Sequence, residues 1–408
     1  MTRLLRHVAL ASLFALPAVA GPVRTLTADG AVRLALERNP ELASLSAEVI
    51  AGQARLRGAS LLLQANPEVG IAVGARRSAR GGELEVDAEL SQQLELSGQR
   101  GARIGLARAE IGASKARLAT RRNELAAEVR VAFARALAAA ELLGLARQAV
   151  ELARQTLKAA EKRFEVGDGS KIEVNTARIE VGRASRELKL ATQRLAVGHK
   201  ELRMLLALEP TDELRLQGDL KTGLSPTEDV GTLVRSAEGA RADLVAARRG
   251  VEAAVAEGRL SRKEWLPRPR LGARYQREEG ADAILGTLSF ELPVFNRNQA
   301  SRGAAGARLI QAQRALEATL RRVRQEVLLA HSRLVVAREA ARAYEGEVVQ
   351  AAQENLSLLA TAYRAGKIGL FELILIRRDA LEARRGHIES VEEVRVAEAE
   401  IRRAVGAE

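Results

Sequence analysis

The sequence predicts an α+β membrane protein built from one unit used twice: a helix, a β-hairpin and a long helical hairpin. Three observations carry this. Apolar residues from Leu118 to Leu205 recur at alternating steps of three and four, the seam of a coiled coil. Two shorter stretches switch to strict two-residue alternation, the signature of strands with one apolar face. The second half of the chain also repeats the first at a shift of 199 residues.

At the N-terminus, Arg3 and Arg6, the apolar run Val8 to Leu16 and Ala18-Val19-Ala20 have the layout of a secretory signal over residues 1–20. Cleavage after Ala20 removes two arginines and no acid from a net charge of +12. The chain holds no cysteine, which excludes disulfides, thiolate metal sites and a lipid anchor on an N-terminal cysteine. No later apolar run reaches the roughly 18 residues of a membrane-spanning helix.

Residues 21–226 read as the first repeat. Thr27-Ala-Asp29 caps a helix, Asn39-Pro40 interrupts it, and Asn66-Pro67 stops the next. A β-hairpin follows over about residues 67–96. Val69, Ile71 and Val73, then Leu84, Val86, Ala88 and Leu90, line an apolar face. Glu83, Glu85, Asp87 and Glu89 line the other. A helical hairpin spans about residues 99–208, with Leu125, Val129, Ala132, Ala136, Ala139 and Leu143 on the seam of its first arm and Gly167 in its turn. Its first arm, about 65 residues, would be nearly 100 Å long. The non-periodic stretch 209–226 reads as a linker.

Residues 227–408 form the second repeat, with a β-hairpin over about 269–295 and a helical hairpin over about 298–405. Arg270 and Arg274 fall on the face opposite Leu271, Ala273 and Tyr275, and alternation continues from Ile284 through Val294. The heptads of the long helix place Leu334, Ala337, Ala341, Tyr344, Val348, Ala351, Asn355, Leu358 and Ala362 on its seam. The 199-residue shift lays Phe164 on Tyr363, Gly167 on Gly366, Glu173 on Glu372 and Arg178 on Arg377, and eight of the ten return-helix seam positions stay apolar.

Composition excludes several functions. Only 2% of residues are aromatic, too few for stacking platforms, and Arg and Lys alternate with Glu without forming a basic block. Solvated helix faces account for the positive charge without nucleic acid. No nucleophile motif, phosphate loop or His–carboxylate pair at ligand spacing is present, so no catalysis, cofactor or metal site is expected. His199, His331 and His387 are scattered.

Four strands cannot close a membrane barrel, whose smallest examples have eight, and an open edge is not viable in lipid. A membrane sheet of this kind therefore needs two or three copies sharing one barrel. A soluble sandwich would instead cover the apolar face with a second sheet.

The signal, tandem repeat, two β-hairpins and two long helical hairpins together resemble the TolC-type outer-membrane efflux proteins. Leu94-Glu95-Leu96-Ser97-Gly98-Gln99-Arg100-Gly101 and Leu292-Pro293-Val294-Phe295-Asn296-Arg297-Asn298-Gln299 resemble the barrel-to-helix junctions of the heavy-metal (cobalt–zinc–cadmium) subgroup. The resemblance implies a homotrimer: a twelve-stranded β-barrel in outer-membrane lipid continuing into a twelve-helix periplasmic α-barrel. It also implies a periplasmic adaptor and an inner-membrane pump of the resistance–nodulation–division (RND) type as partners. Glu372 and Glu173 match positions where the family carries a pore-restricting acid, while their spacing from Gly369 and Ser170 is equally that of helix caps. Leu375 stands where the family has a second acid. Val166, Gly167, Asp168, Ala365, Gly366 and Lys367 match adaptor-contact tips or are plain connecting turns. Glu83, Glu85, Asp87, Glu89, Arg268, Arg270 and Arg274 line either the barrel lumen or an ordinary solvated face.

Overall fold

The computed structural model describes residues 24–78, 81–220, 229–278 and 281–407. The predicted signal 1–20 lies outside these residues. In order, the elements are β1 (Arg24–Leu26), α1 (Ala28–Arg38), α2 (Pro40–Ala59), β2 (Glu68–Ser78), β3 (Gly81–Gln93), α3 (Gln99–Glu165), α4 (Lys171–Leu205) and β4 (Leu214–Leu216). They continue with α5 (Val230–Ala240), α6 (Ala242–Glu264), β5 (Arg270–Glu278), β6 (Ala281–Ser289), α7 (Gln299–Tyr344), α8 (Glu347–Arg364) and α9 (Leu370–Val405). The caps obey local chemistry: Thr27 Oγ1 accepts from Gly30 N–H at 3.2 Å, and Asn39 Oδ1 accepts from Glu41 and Leu42 N–H at 2.9 and 3.2 Å.

One lateral order governs the whole molecule. The sheet runs β2-β3-β5-β6, every neighbouring pair antiparallel. Below it the helices follow the same order: α2 and α4 beside α3, α3 beside α6 and α9, and those beside α7 and α8. The order therefore leaves β2 and β6, and the helix columns beneath them, at its two outer margins.

The junctions between strand and helix are built alike in both repeats. Gly98 and Asn298 take left-handed conformations (φ 76° and 57°) just before α3 and α7. Gln99 Oε1 accepts from Ser97 N–H at 3.0 Å, and Gln299 Oε1 accepts from Arg297 N–H at 2.8 Å. Gln99 is fully buried. Lys263 Nζ of α6 donates to Ser97 O at 3.0 Å, tying the junction to the neighbouring column, and Arg103 of α3 pairs with the buried Glu95 at 2.5 Å.

The α3–α4 seam is buried or half-buried throughout, except Phe164 at the tip. Small residues set the helix separation: a Cβ on Gly198 would stand 3.4 Å from the backbone and Cβ of Ala136.

Three expectations are corrected. First, the long helix of the second repeat is not continuous. It breaks at Glu345–Gly346, where Gly346 adopts φ 77° and ψ −119°, a conformation open to glycine. Upstream, Val323, Val327, Ala330, Leu334, Ala337 and Ala341 are buried, 198 positions after Leu125, Val129, Ala132, Ala136, Ala139 and Leu143. Beyond the break the buried residues are Ala352, Leu356, Leu359 and Tyr363, 199 positions after Ala153, Leu157, Ala160 and Phe164. The expected seam residues Val348, Ala351, Asn355 and Leu358 are exposed. One extra residue rotates the face of a helix by about 100°, so the chain breaks the helix and restarts it in phase.

Second, β6 ends at Ser289 although apolar alternation runs on to Val294. Pro293 has no N–H for a ladder, and Val294 N–H closes a tight turn on Leu292 O at 2.8 Å. Third, the described part of the stretch read as a linker is packed. β4 pairs in parallel with β1, Leu220 is buried against α3 and α9, and Arg395 Nε donates to Leu220 O at 3.0 Å. Replacing Gly198 with leucine should overpack the α3–α4 contact, costing about 1–3 kcal/mol. The expected readout is a lower thermal midpoint with faster amide exchange along α4; an unchanged midpoint would show that the two helices separate freely.

Candidate functional site at the paired turns

The end of each helical hairpin is a glycine-terminated helix followed by a tight turn. Gly167 (φ 79°) and Gly366 (φ 68°) end α3 and α8. Their N–H groups reach Phe164 O at 3.1 Å and Tyr363 O at 3.0 Å, and the next residues, Asp168 and Lys367, bond to Arg163 O and Ala362 O at 2.9 Å each. These bonds satisfy last-turn carbonyls that a helix end otherwise leaves open.

The turns differ at the start of the return helix. Ser170 Oγ accepts from Glu173 N–H at 3.2 Å, while Glu173 Oε2 accepts from Ser170 N–H at 3.4 Å, a complete capping box. Gly369 has no side chain to do this for α9. Glu372 is exposed, and among the described residues no hydrogen bond or ion pair holds its carboxylate. The same spacing thus yields a committed acid in one turn and an uncommitted one in the other.

The structure brings the turns together. The Arg163 guanidinium is held by Asp168 Oδ2 at 3.0 Å and lies 5.1 Å from the centre of the Tyr363 ring. Tyr363 is buried among Ala160, Leu356, Leu359 and Leu373. Burial first, and then the negative charge of Glu173, push its hydroxyl above the usual phenol range. Arg377 of α9, also buried, donates to Thr156 Oγ1 of α3 at 3.2 Å and to Glu180 of α4 at 3.4 Å, joining three helices. Burial lowers its pKa, and the Glu180 carboxylate opposes that shift. Sequence reading passed over both residues except as partners of Phe164 and Arg178 in the repeat. The one available signal was the 199-residue shift, which puts Tyr363 on the seam position of Phe164 in α8 and Arg377 beside the seam of α9.

Val166, Gly167, Asp168, Ala365, Gly366 and Lys367 are all exposed at the tips. Ile172 and Phe371, beside them, are more than 60% exposed.

In the sheet, register sets Glu85, Asp87 and Glu89 on the face that carries Arg270 and Arg274. Arg274 bridges Glu89 at 2.8 Å and Asp87 at 3.4 Å, and Arg270 pairs with Glu68. Arg268 lies 4.0 Å from Glu95 at the junction. The side chain of Glu83 lies outside the described residues. The opposite face exposes Val69, Ile71, Val73, Leu84, Leu90, Ile284 and Leu288. Among the described residues no cluster of three or more His, Asp or Glu could hold a metal ion, and no helix is long and apolar enough to cross a membrane.

The model of the outer membrane efflux protein family matches residues 31–208 and again 233–407. The chain belongs to this family. It is accordingly an outer-membrane efflux channel protein and not an enzyme. The two matches fall one in each repeat. Among solved structures, CusC shares 18% identity over 93% of this chain and 92% of that chain, with a TM-score of 0.77. A membrane protein from Pseudomonas aeruginosa shares 20% identity over 93% of each chain, TM-score 0.77. VceC from Vibrio cholerae shares 18% over 93% and 96%, TM-score 0.72. These likenesses concern the fold. No curated protein matches the chain.

Replacing Ser170 with alanine should destabilise the first turn of α4 by about 0.5–2 kcal/mol, and Gly369→Ser should strengthen that of α9. Hydrogen exchange should speed up at the amides after Ser170 and slow at those after Gly369. Equal behaviour at the two turns would contradict the asymmetry.

Proposed function

We propose that three copies of the chain close edge to edge into the exit duct of a tripartite efflux system. Substrate then passes passively from the periplasm to the exterior. Family channels are trimers working with periplasmic adaptors and RND-type pumps. The observation carrying the proposal is the shared lateral order, which leaves β2 and β6 as the margins of a sheet exposing an apolar face. Pairing β6 of one copy with β2 of the next would satisfy the edge backbone groups, and three copies would give twelve strands. The helix columns at the same margins would meet in register with them.

In this reading the acidic face with Arg270 and Arg274 lines the barrel lumen and the apolar face meets outer-membrane lipid. The tips Val166–Asp168 and Ala365–Lys367 face the adaptor. Glu372, with no cap to make, supplies three carboxylates to the narrow end of the tunnel, a ring that favours cations. Glu173 is engaged in its capping box and contributes less. Cargo is proposed to be heavy-metal cations, on the likeness of the two junction segments to the metal-efflux subgroup. Organic toxicants, drugs or a secreted protein are the alternatives.

The purified protein should require detergent and run as a trimer; a detergent-free monomer would overturn the channel architecture. In planar bilayers Glu372→Gln should reduce cation over anion selectivity more than Glu173→Gln does. The reverse order would give Glu372 no gating part. A strain lacking the gene should lose tolerance to divalent metals; loss confined to organic toxicants would move the cargo to that class.

A further inference from the structure

At the tip end of the helices a cavity of about 400 Å³ opens between α3, α8 and α9. Leu152, Leu356 and Leu373 make parts of its wall apolar, one from each helix. Lys158 and Lys162 of α3, Arg364 of α8 and Arg377 of α9 bring four cations to the same space, and among the described residues no carboxylate lines it. Among the described residues neither Lys158 nor Lys162 has an ion-pair partner, although acids alternate with bases along most of these helices. Arg377 is buried, and its carboxylate partner Glu180, 3.4 Å away, is not part of the cavity lining. The Tyr363 hydroxyl, buried at the same wall, has no hydrogen-bonding partner of normal geometry among the described residues. A largely apolar cleft of this size with a few convergent polar groups is the usual form of a small-molecule site.

We infer that this cavity binds an amphipathic anion, its apolar part against the leucines and its charged head between Lys158, Lys162 and Arg364. A neutral apolar ligand would leave Lys158 and Lys162 without a counter-charge, and a bare inorganic anion would leave the leucine surface wet. The site lies about 85 Å along α3 from the sheet, so a lipid held in a bilayer around the sheet does not reach it. The ligand is a soluble amphiphile. Because α8 is separated from α7 by the break at Gly346, an occupant touching both Lys158–Lys162 and Leu356–Arg364 would fasten α8 to α3. The inference concerns one chain and does not depend on the cargo or on the trimer.

The test is calorimetric titration of octanoate into the full chain held in phosphatidylcholine nanodiscs, with empty nanodiscs subtracted. One octanoate per chain should bind saturably, and 1-octanol at the same concentrations should not. The double variant Lys158→Gln/Lys162→Gln changes two exposed side chains and leaves the core intact. It should weaken octanoate binding at least tenfold, whereas Arg186→Gln, on exposed α4 surface, should leave it unchanged. Equal binding of octanol, an unaffected double variant, or no saturable heat above the empty nanodiscs would each overturn the inference.

Discussion

A four-stranded sheet with an apolar face leaves two rows of backbone N–H and C=O groups unpaired, at β2 and at β6. In water such edges invite aggregation, and in hydrocarbon they are not viable. The rest of the molecule is arranged around this deficit. Each strand stands above its own helix column, so an edge in the sheet is also an edge in the helical layer. Whatever completes the sheet must complete the helices in the same step, which is how a short hairpin repeat can belong to a channel roughly 100 Å deep.

Within one copy, α3 holds the layer together. It packs α2 and α4 on one side and α6 and α9 on the other, and contact between repeats therefore runs mainly through it. That position explains why α3 is unbroken over 67 residues. The second repeat places α7 and α8 at a margin and carries one extra residue, absorbed at Gly346. Sequence duplication has thus become structural asymmetry. The turn after α3 is pinned by Asp168 and a capping box; the turn after α8 ends a separate 18-residue helix and leaves Glu372 uncommitted.

Much of this was legible in the sequence because burial on one face imposes a period. The strands, the two turn glycines and the α3–α4 seam follow from Val69 to Leu90 and from Leu125 to Leu205 in that way. The seam of α8 was misread because heptads counted on from Ala341 were carried through Gly346. The repeat shift of 199 residues, which pairs Ala160 with Leu359 and Phe164 with Tyr363, gave the right face. Lateral order was invisible, since the α3–α9 contact joins segments more than 200 residues apart. Arg377 was hidden as one cation among 64, and the 209–220 stretch because its order comes from β1, α3 and α9 and not from its own pattern. The difference between Glu173 and Glu372 was present in plain view as Ser170 against Gly369.

The edge-to-edge closure is open to a direct chemical measurement, helped by a chain that contains no cysteine. Single cysteines at Val69, Ile71 or Val73 of β2 can be combined with one at Ile284, Gly286 or Leu288 of β6, then oxidised in intact outer membranes. Within one chain these strands are separated by β3 and β5, so a disulfide between them must join two copies. The account predicts that at least one pairing gives covalent dimers and trimers on denaturing gels, and none larger. Chains that stay monomeric at every pairing, or that form an open-ended ladder, would contradict it.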